Sequence, residues 1–307
     1  MNIQAIYKSF PTQQDCYKHI ENLKWSGNPV CPECGSDKIS SYKNQARHHC
    51  NKCNKSFSVL KDTIFEGTRL ELQKWFYAVS LMLNAKKGLS SLQLSRDLGC
   101  AYNTAWYIQM RIRCAMLNDH EMLHGVVQMD ETYAGGKPRK SNFVGTVSKN
   151  KRGRGTNKTP IVGIAEERKG GRVSAEVVEN VTTASLMKLL KDNVSIDKAT
   201  LVTDKFKAYD KMGEIIDHYT VDHAKYFAKN GISTNSIESF WAIVKRALHG
   251  QYHSVSKKYL PFYISEMVYR YNQRNNDNKF EKTIDKAVES EKCFKYLKPI
   301  KCKTKKK

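Results

Sequence analysis

Two groups of side chains in this sequence have the types and spacing to do chemistry. Cys31 and Cys34 stand in CPEC, and Cys50 and Cys53 follow in CNKC after fifteen intervening residues. Two such knuckles offer four thiolates, the soft tetrahedral set that zinc prefers. Four protein ligands leave no open coordination position, so the site reads as one structural Zn2+ rather than a catalytic one. His48 and His49 are adjacent to the second knuckle and could compete as ligands. The stretch between the knuckles can form strands and a turn, a zinc ribbon. So short a segment buries little apolar surface, so the metal would supply much of its folding free energy.

The second group is acidic. Val126-Val127-Gln128-Met129-Asp130 is an apolar run ending on a carboxylate, and Leu201-Val202-Thr203-Asp204 is another. Two hydrophobic strands that each deliver an aspartate can set two like charges side by side in one sheet. Divalent cations relieve that repulsion, and magnesium favours oxygen ligands that include phosphate oxygens. A lone aspartate at a strand end is usually a turn former or a cap, so the third element matters. Residues 235–246 read as a helix with Ile237, Phe240, Trp241 and Val244 on its apolar side. Asn235 and Glu238 are three apart and share a face. Glu238 and Lys245 are seven apart, two turns, and nearly eclipse each other. One face can then present an oxygen ligand to a metal and, further along, a cation to a phosphate.

The elements around these residues follow from composition and periodicity. The chain has 307 residues, 40% hydrophobic and 10% aromatic, enough for roughly two domains with packed cores. Its net charge of +22 repels itself in a compact fold and points to an anionic partner, with nucleic acid foremost. No run of 18 apolar residues occurs, which excludes an ordinary membrane span. The first residues lack a secretory pattern, so the expected place of work is the cytoplasm, at the nucleoid. Nine cysteines, an odd number without an export signal, argue against a disulfide framework.

The expected organisation has five parts: a helical lead-in over 1–26, a zinc ribbon over 27–60, a helical segment over 61–122, an α/β catalytic domain over 123–285 and a basic tail over 286–307. Within the helical segment, Leu72, Trp75, Phe76, Val79 and Met82 repeat at helical spacing. Ser90 or Ser91 can cap the next helix, and Gly99 breaks it. A further helix from about Tyr102 to Cys114 carries Asn103, Thr104, Tyr107, Gln109, Arg111 and Arg113. A short helix, a glycine turn and a polar helix fit a helix-turn-helix, whose second helix enters the major groove. Asn103, Thr104, Arg111 and Arg113 are the expected DNA contacts. After residue 125 the texture changes to β-branched runs. Between them, Lys137–Lys158 holds eight cations and no acid. Lys137, Arg139, Lys140, Lys151, Arg152 and Arg154 are expected to grip DNA phosphates, which would make binding fall steeply with salt.

Taken together, MDETYAGGK (129–137), LVTDKFKAY (201–209), NSIESFWAIVKRALHGQYHSVSKKYL (235–260) and YISEMVYRYNQR (263–274) resemble the DDE transposases of bacterial insertion sequences. The likeness is to the ISXO-like group related to Merlin elements, in which a zinc ribbon and a helical segment also precede the catalytic domain. The resemblance covers about residues 27–275. It implies an RNase H-like domain with a mixed sheet, Asp130 on its first strand, Asp204 after its fourth and the third ligand on a following helix. It further implies metal binding by Asp130, Asp204 and Glu238, substrate contact by Lys245, and two Mg2+ (or Mn2+) ions per active site. The implied activity is nicking of transposon ends and joining to target DNA by a homo-oligomer assembled on DNA. Asn235 and Glu238 both remain open as the third ligand; a charged carboxylate binds magnesium better, which favours Glu238. Two competing readings are a zinc-ribbon regulator that only binds DNA, which leaves the three acidic elements without a purpose, and an RNase H-like nuclease or resolvase that cuts without joining.

Overall fold

The computed structural model describes residues 2–42, 45–117, 121–135, 158–221 and 234–289. The chain divides into two compact units, Met1–Leu117 with Asn276–Lys307, and Asn118–Asn275.

The first unit begins with helices α1 (Ile3–Ser9) and α2 (Gln13–Trp25). Thr12 and Asp15 close a reciprocal capping box at the start of α2, satisfying two of the backbone N–H groups a helix start leaves open. A small antiparallel sheet follows, of β1 (Ile39–Ser41), β2 (Arg47–Cys50) and β3 (Ser56–Ser58), in the order β1-β2-β3. Next come α3 (Leu72–Asn84), α4 (Ser91–Leu98) and α5 (Tyr102–Ala115). Eight of the thirteen residues of α3 are buried, so it forms the centre of this unit rather than a surface helix. Phe76 meets Phe10 edge-on at 4.9 Å and Phe280 at 5.7 Å. Ser90 caps α4, and Gly99 ends it in the left-handed conformation at φ 60°, where a side chain would be strained.

Phe280 belongs to a helix, Lys279–Glu289, that the sequence reading divided between the catalytic domain and a tail. The chain returns to the first unit at Asn276 instead. Phe280, Ile284, Ala287 and Val288 recur at helical spacing and are buried there, and Ala287 accepts from the Ile64 N–H at 3.0 Å. Residues beyond 289, including most of the expected tail, lie outside the described residues.

The second unit is built on a five-stranded mixed sheet. Its strands are β4 (Leu123–Ala134), β5 (Thr159–Glu166), β6 (Val173–Val177), β7 (Val194–Asp204) and β8 (Asp217–Val221). They lie in the order β6-β5-β4-β7-β8. The first three strands run antiparallel as a meander, while β7 and β8 lie parallel to β4 on its other side. This is the RNase H-like arrangement. Helix α6 (Thr183–Asn193) covers one face, packing Leu186, Leu189 and Leu190 on Val127, Met129, Val162, Ile164 and Leu201. Helices α7 (Asn235–Arg246) and α8 (Leu260–Asn272) cover the other, where Ile237, Phe240, Trp241 and Val244 meet Ile161 and Ala165. Strand β5 is thus buried on both faces, which explains its unbroken apolar run. The edge strand β8, Asp-His-Tyr-Thr-Val, carries almost no apolar signal and is not foreseen by periodicity.

Candidate active site

Side chains alternate along a strand, so every second residue of β4 faces α7. Val127 and Met129 point into the α6 core, which places Gln128 and Asp130 on the α7 face. Asp130 pairs with Gly163 of β5. On the other side Met129 pairs with Thr203 of the parallel strand β7, so Asp204 stands one step on, beside Asp130. Adjacent strands are about 4.8 Å apart, and laterally paired residues point to one face. The two aspartates, 74 residues apart in sequence, are therefore neighbours in one row across the sheet. The sequence expectation of two converging strand ends agrees with this placement.

Helix α7 lies over that row. Its contact with the sheet is close because Gly163 has no side chain. A Cβ there would come within 2.7 Å of the Trp241 ring and 3.1 Å of Ile237. Gly163→Ala is expected to push α7 off the sheet, at a cost of about 1–3 kcal/mol as an overpacked core position. A thermal melt checks the stability, and loss of divalent-metal binding in the folded variant checks the displacement.

Glu238 sits in the first turn of α7, exposed, with its Oε1 accepting from the Thr234 hydroxyl at 2.9 Å. Asp130 registers the crowding. Burial first, then the charges of Glu131, Asp204 and Glu238, lift its carboxyl to about 7. A carboxylate so placed gains from a bound cation more than an isolated one does. Asn235 and Lys245 are also exposed on α7, and Lys245 lines a cleft with Thr132, His249 and His253. Glu131 takes no part in this row. It faces the α6 side, where its Oε2 accepts from the buried Tyr209 hydroxyl at 2.9 Å. The sequence reading gave no role to Gln128, Gly163 or the Tyr209–Glu131 pair. Gln128 did leave a signal, a polar residue at an inward position of an apolar strand.

In the first unit, Cys31, Cys34, Cys50 and Cys53 converge with all four sulfurs within 4.8 Å of one another. The Cys31–Cys53 and Cys34–Cys50 sulfurs are each 3.6 Å apart. A zinc–sulfur distance of about 2.3 Å implies tetrahedron edges of about 3.8 Å, so the set fits zinc. The thiol of Cys50 is drawn down to about 6, chiefly by the Cys53 backbone N–H, while burial pushes that of Cys53 up to about 12. Neither histidine joins the cluster. His48 is buried, with Nδ1 3.0 Å from the Ser41 hydroxyl and Nε2 3.2 Å from Glu21, while His49 bonds Ser56 and Asn54.

The expected DNA contacts on α5 divide. Asn103 and Thr104 are exposed at its first turn. Arg111 and Arg113 are not available, and their assignment as DNA contacts is corrected. Arg111 is 2% exposed, donates to the Glu66 carbonyl at 2.8 Å and lies over the rings of Trp75 and Tyr107. Arg113 is fully buried beside Met110. The last half of α5 is enclosed on all sides, residues 108–115 without exception, so helical position alone did not reveal which cations face water. Gln109 is likewise internal, bonded to Ser91 and to the Leu89 carbonyl. Lys137, Arg139, Lys140, Lys151, Arg152 and Arg154 lie outside the described residues, as does Asp222-His223.

A mixed sheet that delivers two aspartates from neighbouring strands, beneath a helix that delivers a glutamate, is what the resemblance implied for a DDE transposase domain. The ISXO2-like transposase domain model matches residues 122–272, and a transposase zinc-ribbon model matches residues 11–56. A Haemophilus influenzae protein described as transposase-like is 30% identical over 118 residues, covering 38% of this chain and 93% of that protein. A Halobacterium salinarum protein of the transposable element ISH50 is 27% identical over 274 residues, covering 84% and 90%. The chain belongs to the ISXO2-like transposase family. Among solved structures, the Mos1 strand transfer complex shows 14% identity, covering 72% of this chain and 77% of that one, at a TM-score of 0.31. No helix among the described residues is long and apolar enough to cross a membrane.

Proposed function

We propose that this transposase binds the DNA ends of its insertion sequence, cuts them in a divalent-metal-dependent reaction and joins them to target DNA. The observation that carries the reading is the placement of Asp130 and Asp204 side by side, each one step past the paired Met129 and Thr203. Asp130, Asp204 and Glu238 would hold two Mg2+ or Mn2+ ions, with Glu238 favoured over Asn235 because its charge already acts on Asp130. Such a metal pair, when bound, activates the attacking water or 3′-hydroxyl and stabilises the leaving oxygen.

The rest is done by this chain's own residues. Lys245, two turns along α7, would hold a phosphate of the cleaved strand at the cleft beside Thr132. Asn103 and Thr104 would meet DNA through the exposed start of α5, and the cations of 137–154 would neutralise backbone phosphates. The four-cysteine cluster would hold one structural Zn2+ that folds the ribbon. Work on two ends at once calls for more than one copy, so the active form is a homo-oligomer on DNA, in the cytoplasm at the nucleoid.

The test is incubation of purified protein with labelled terminal DNA and Mg2+ or Mn2+, followed by sequencing of the products. Cut ends joined to new DNA support the reading. Cutting without joining from a pre-cut 3′-hydroxyl end would mark a nuclease or resolvase. Binding with no cutting in either metal would mark a regulator.

A further inference from the structure

Helix α7 has to be placed on the sheet accurately enough for Glu238 to share a metal with two aspartates it does not touch through the backbone. The start of the helix shows how this is done. A helix leaves its first N–H groups without intrahelical partners, and a side chain just before it usually accepts from them. Thr234 occupies that position but makes no such bond. Its hydroxyl goes to Glu238 instead. The Ser236 and Ile237 N–H groups donate to Gln128 Oε1, at 2.9 and 3.1 Å. The cap therefore comes from β4, more than a hundred residues earlier, and from the residue two before Asp130.

We propose that Gln128 is a positioning residue for the metal site, fixing Glu238 relative to Asp130 by capping α7 from the catalytic strand. The inference rests on the reading of Glu238 as a metal ligand. A local cap would satisfy the same N–H groups, yet it would let the helix slide along the sheet. The tertiary cap pins the helix to a strand position about 6.7 Å from Asp130. The linkage is short and stiff, two strand residues on one side and a single residue of the first helical turn on the other. Gln128 is fully buried, so its side chain has no room to follow a shifted helix. A neutral acceptor also suits the place. Aspartate or glutamate would cap a helix start at least as well, but would add a charge to a site that already holds Asp130, Asp204 and Glu238.

Stability is not a sufficient account of the residue. Gln128 Nε2 is buried and finds no hydrogen-bond partner among the described residues, which costs stability. Gln128→Met, of similar size and shape, removes that unpaired donor together with the cap, so the variant is expected to fold.

The experiment is a double-mutant cycle on Mn2+ affinity in the DNA-free protein, followed by the electron paramagnetic resonance signal of the free ion. Q128M is expected to weaken Mn2+ binding about tenfold or more, the usual effect of losing a residue that orients a metal ligand. In an E238Q background, which is itself weakened, Q128M is expected to change affinity less than twofold, because the ligand it positions is gone. Val244→Ala, which thins the α7 core without touching the cap, is expected to lower the melting temperature and leave the affinity of the folded protein unchanged. If Q128M proves unstable, Q128N, whose carbonyl is one methylene too short, takes its place. Unchanged affinity in Q128M, or an equal loss with and without Glu238, would overturn the positioning role alone. Unchanged affinity in E238Q would overturn the ligand reading and this inference with it.

Discussion

Asp130→Asn is expected to reduce strand cleavage by a thousandfold or more, about 4 kcal/mol of transition-state stabilisation, while DNA binding stays within a few-fold. Asparagine keeps the size and one oxygen but loses the charge that lets a carboxylate hold a divalent ion. The residues proposed to meet DNA lie on other elements, so binding has no reason to follow. A gel-shift titration beside a cleavage assay separates the two, and a variant that still cut and joined ends would end the metal assignment. The same substitution has a signature without DNA. Without metal, burial and then neighbouring carboxylates hold Asp130 at about 7, whereas an unfolded aspartate titrates near 4. The native state then binds this proton more tightly than the unfolded chain, so the group favours folding at low pH. That advantage is lost as pH rises from about 4 through 7. D130N is expected to be more stable than the wild type at pH 8 by on the order of 4 kcal/mol, seen as a higher melting temperature, with the difference vanishing near pH 4. Mn2+ should restore the wild type at pH 8 and leave D130N unmoved.

Removal of zinc is expected to unfold the ribbon while the mixed sheet persists. The ribbon core is Cys31, Cys50 and Phe57 with Trp25 and Ile39 against it, and two of those buried side chains are themselves ligands. Little apolar burial remains when the metal is gone. Structural zinc sites contribute about 10–16 kcal/mol of binding free energy to such small modules, far more than the ribbon's own packing could replace. Cys50→Ser should act as chelation does, since one hydroxyl is a poor substitute for the thiolate. Hydrogen exchange reads the result: amides of Arg47–Cys50 and Ser56–Ser58 should lose protection, while those of Val127–Asp130 keep theirs. Elemental analysis of the wild type should give one zinc per chain. Full protection of the ribbon amides after chelation would show that packing alone suffices.

Much of this molecule was legible in particular stretches of sequence. The CPEC and CNKC spacing specified a four-sulfur cluster because a two-residue gap lets both sulfurs of a knuckle reach one ion. The apolar runs Val126–Asp130 and Leu201–Asp204 marked two strands ending on acids, and the apolar stripe of Ile237, Phe240, Trp241 and Val244 marked the helix that covers them. These signals are local, since period and spacing survive in a string of letters. Strand β8 gave no such signal, because its side chains sit at a sheet edge and need not be apolar.

What the sequence determined alone was the elements that carry the two sites and the chemical character of their ends: two strands ending on aspartates, a helix opening near a glutamate and a pair of thiolate knuckles. Tertiary structure decided which of those residues meet. It set Asp130 beside Asp204 by strand register, and it let α7 approach through the missing side chain of Gly163. It drew the Arg111 and Arg113 cations into the core of the first unit and returned the Lys279–Glu289 helix there. It also supplied the cap of α7 from Gln128. The reason is physical: register, close approach and burial depend on atoms distant in the chain, and no local period encodes which distant surface a side chain will face.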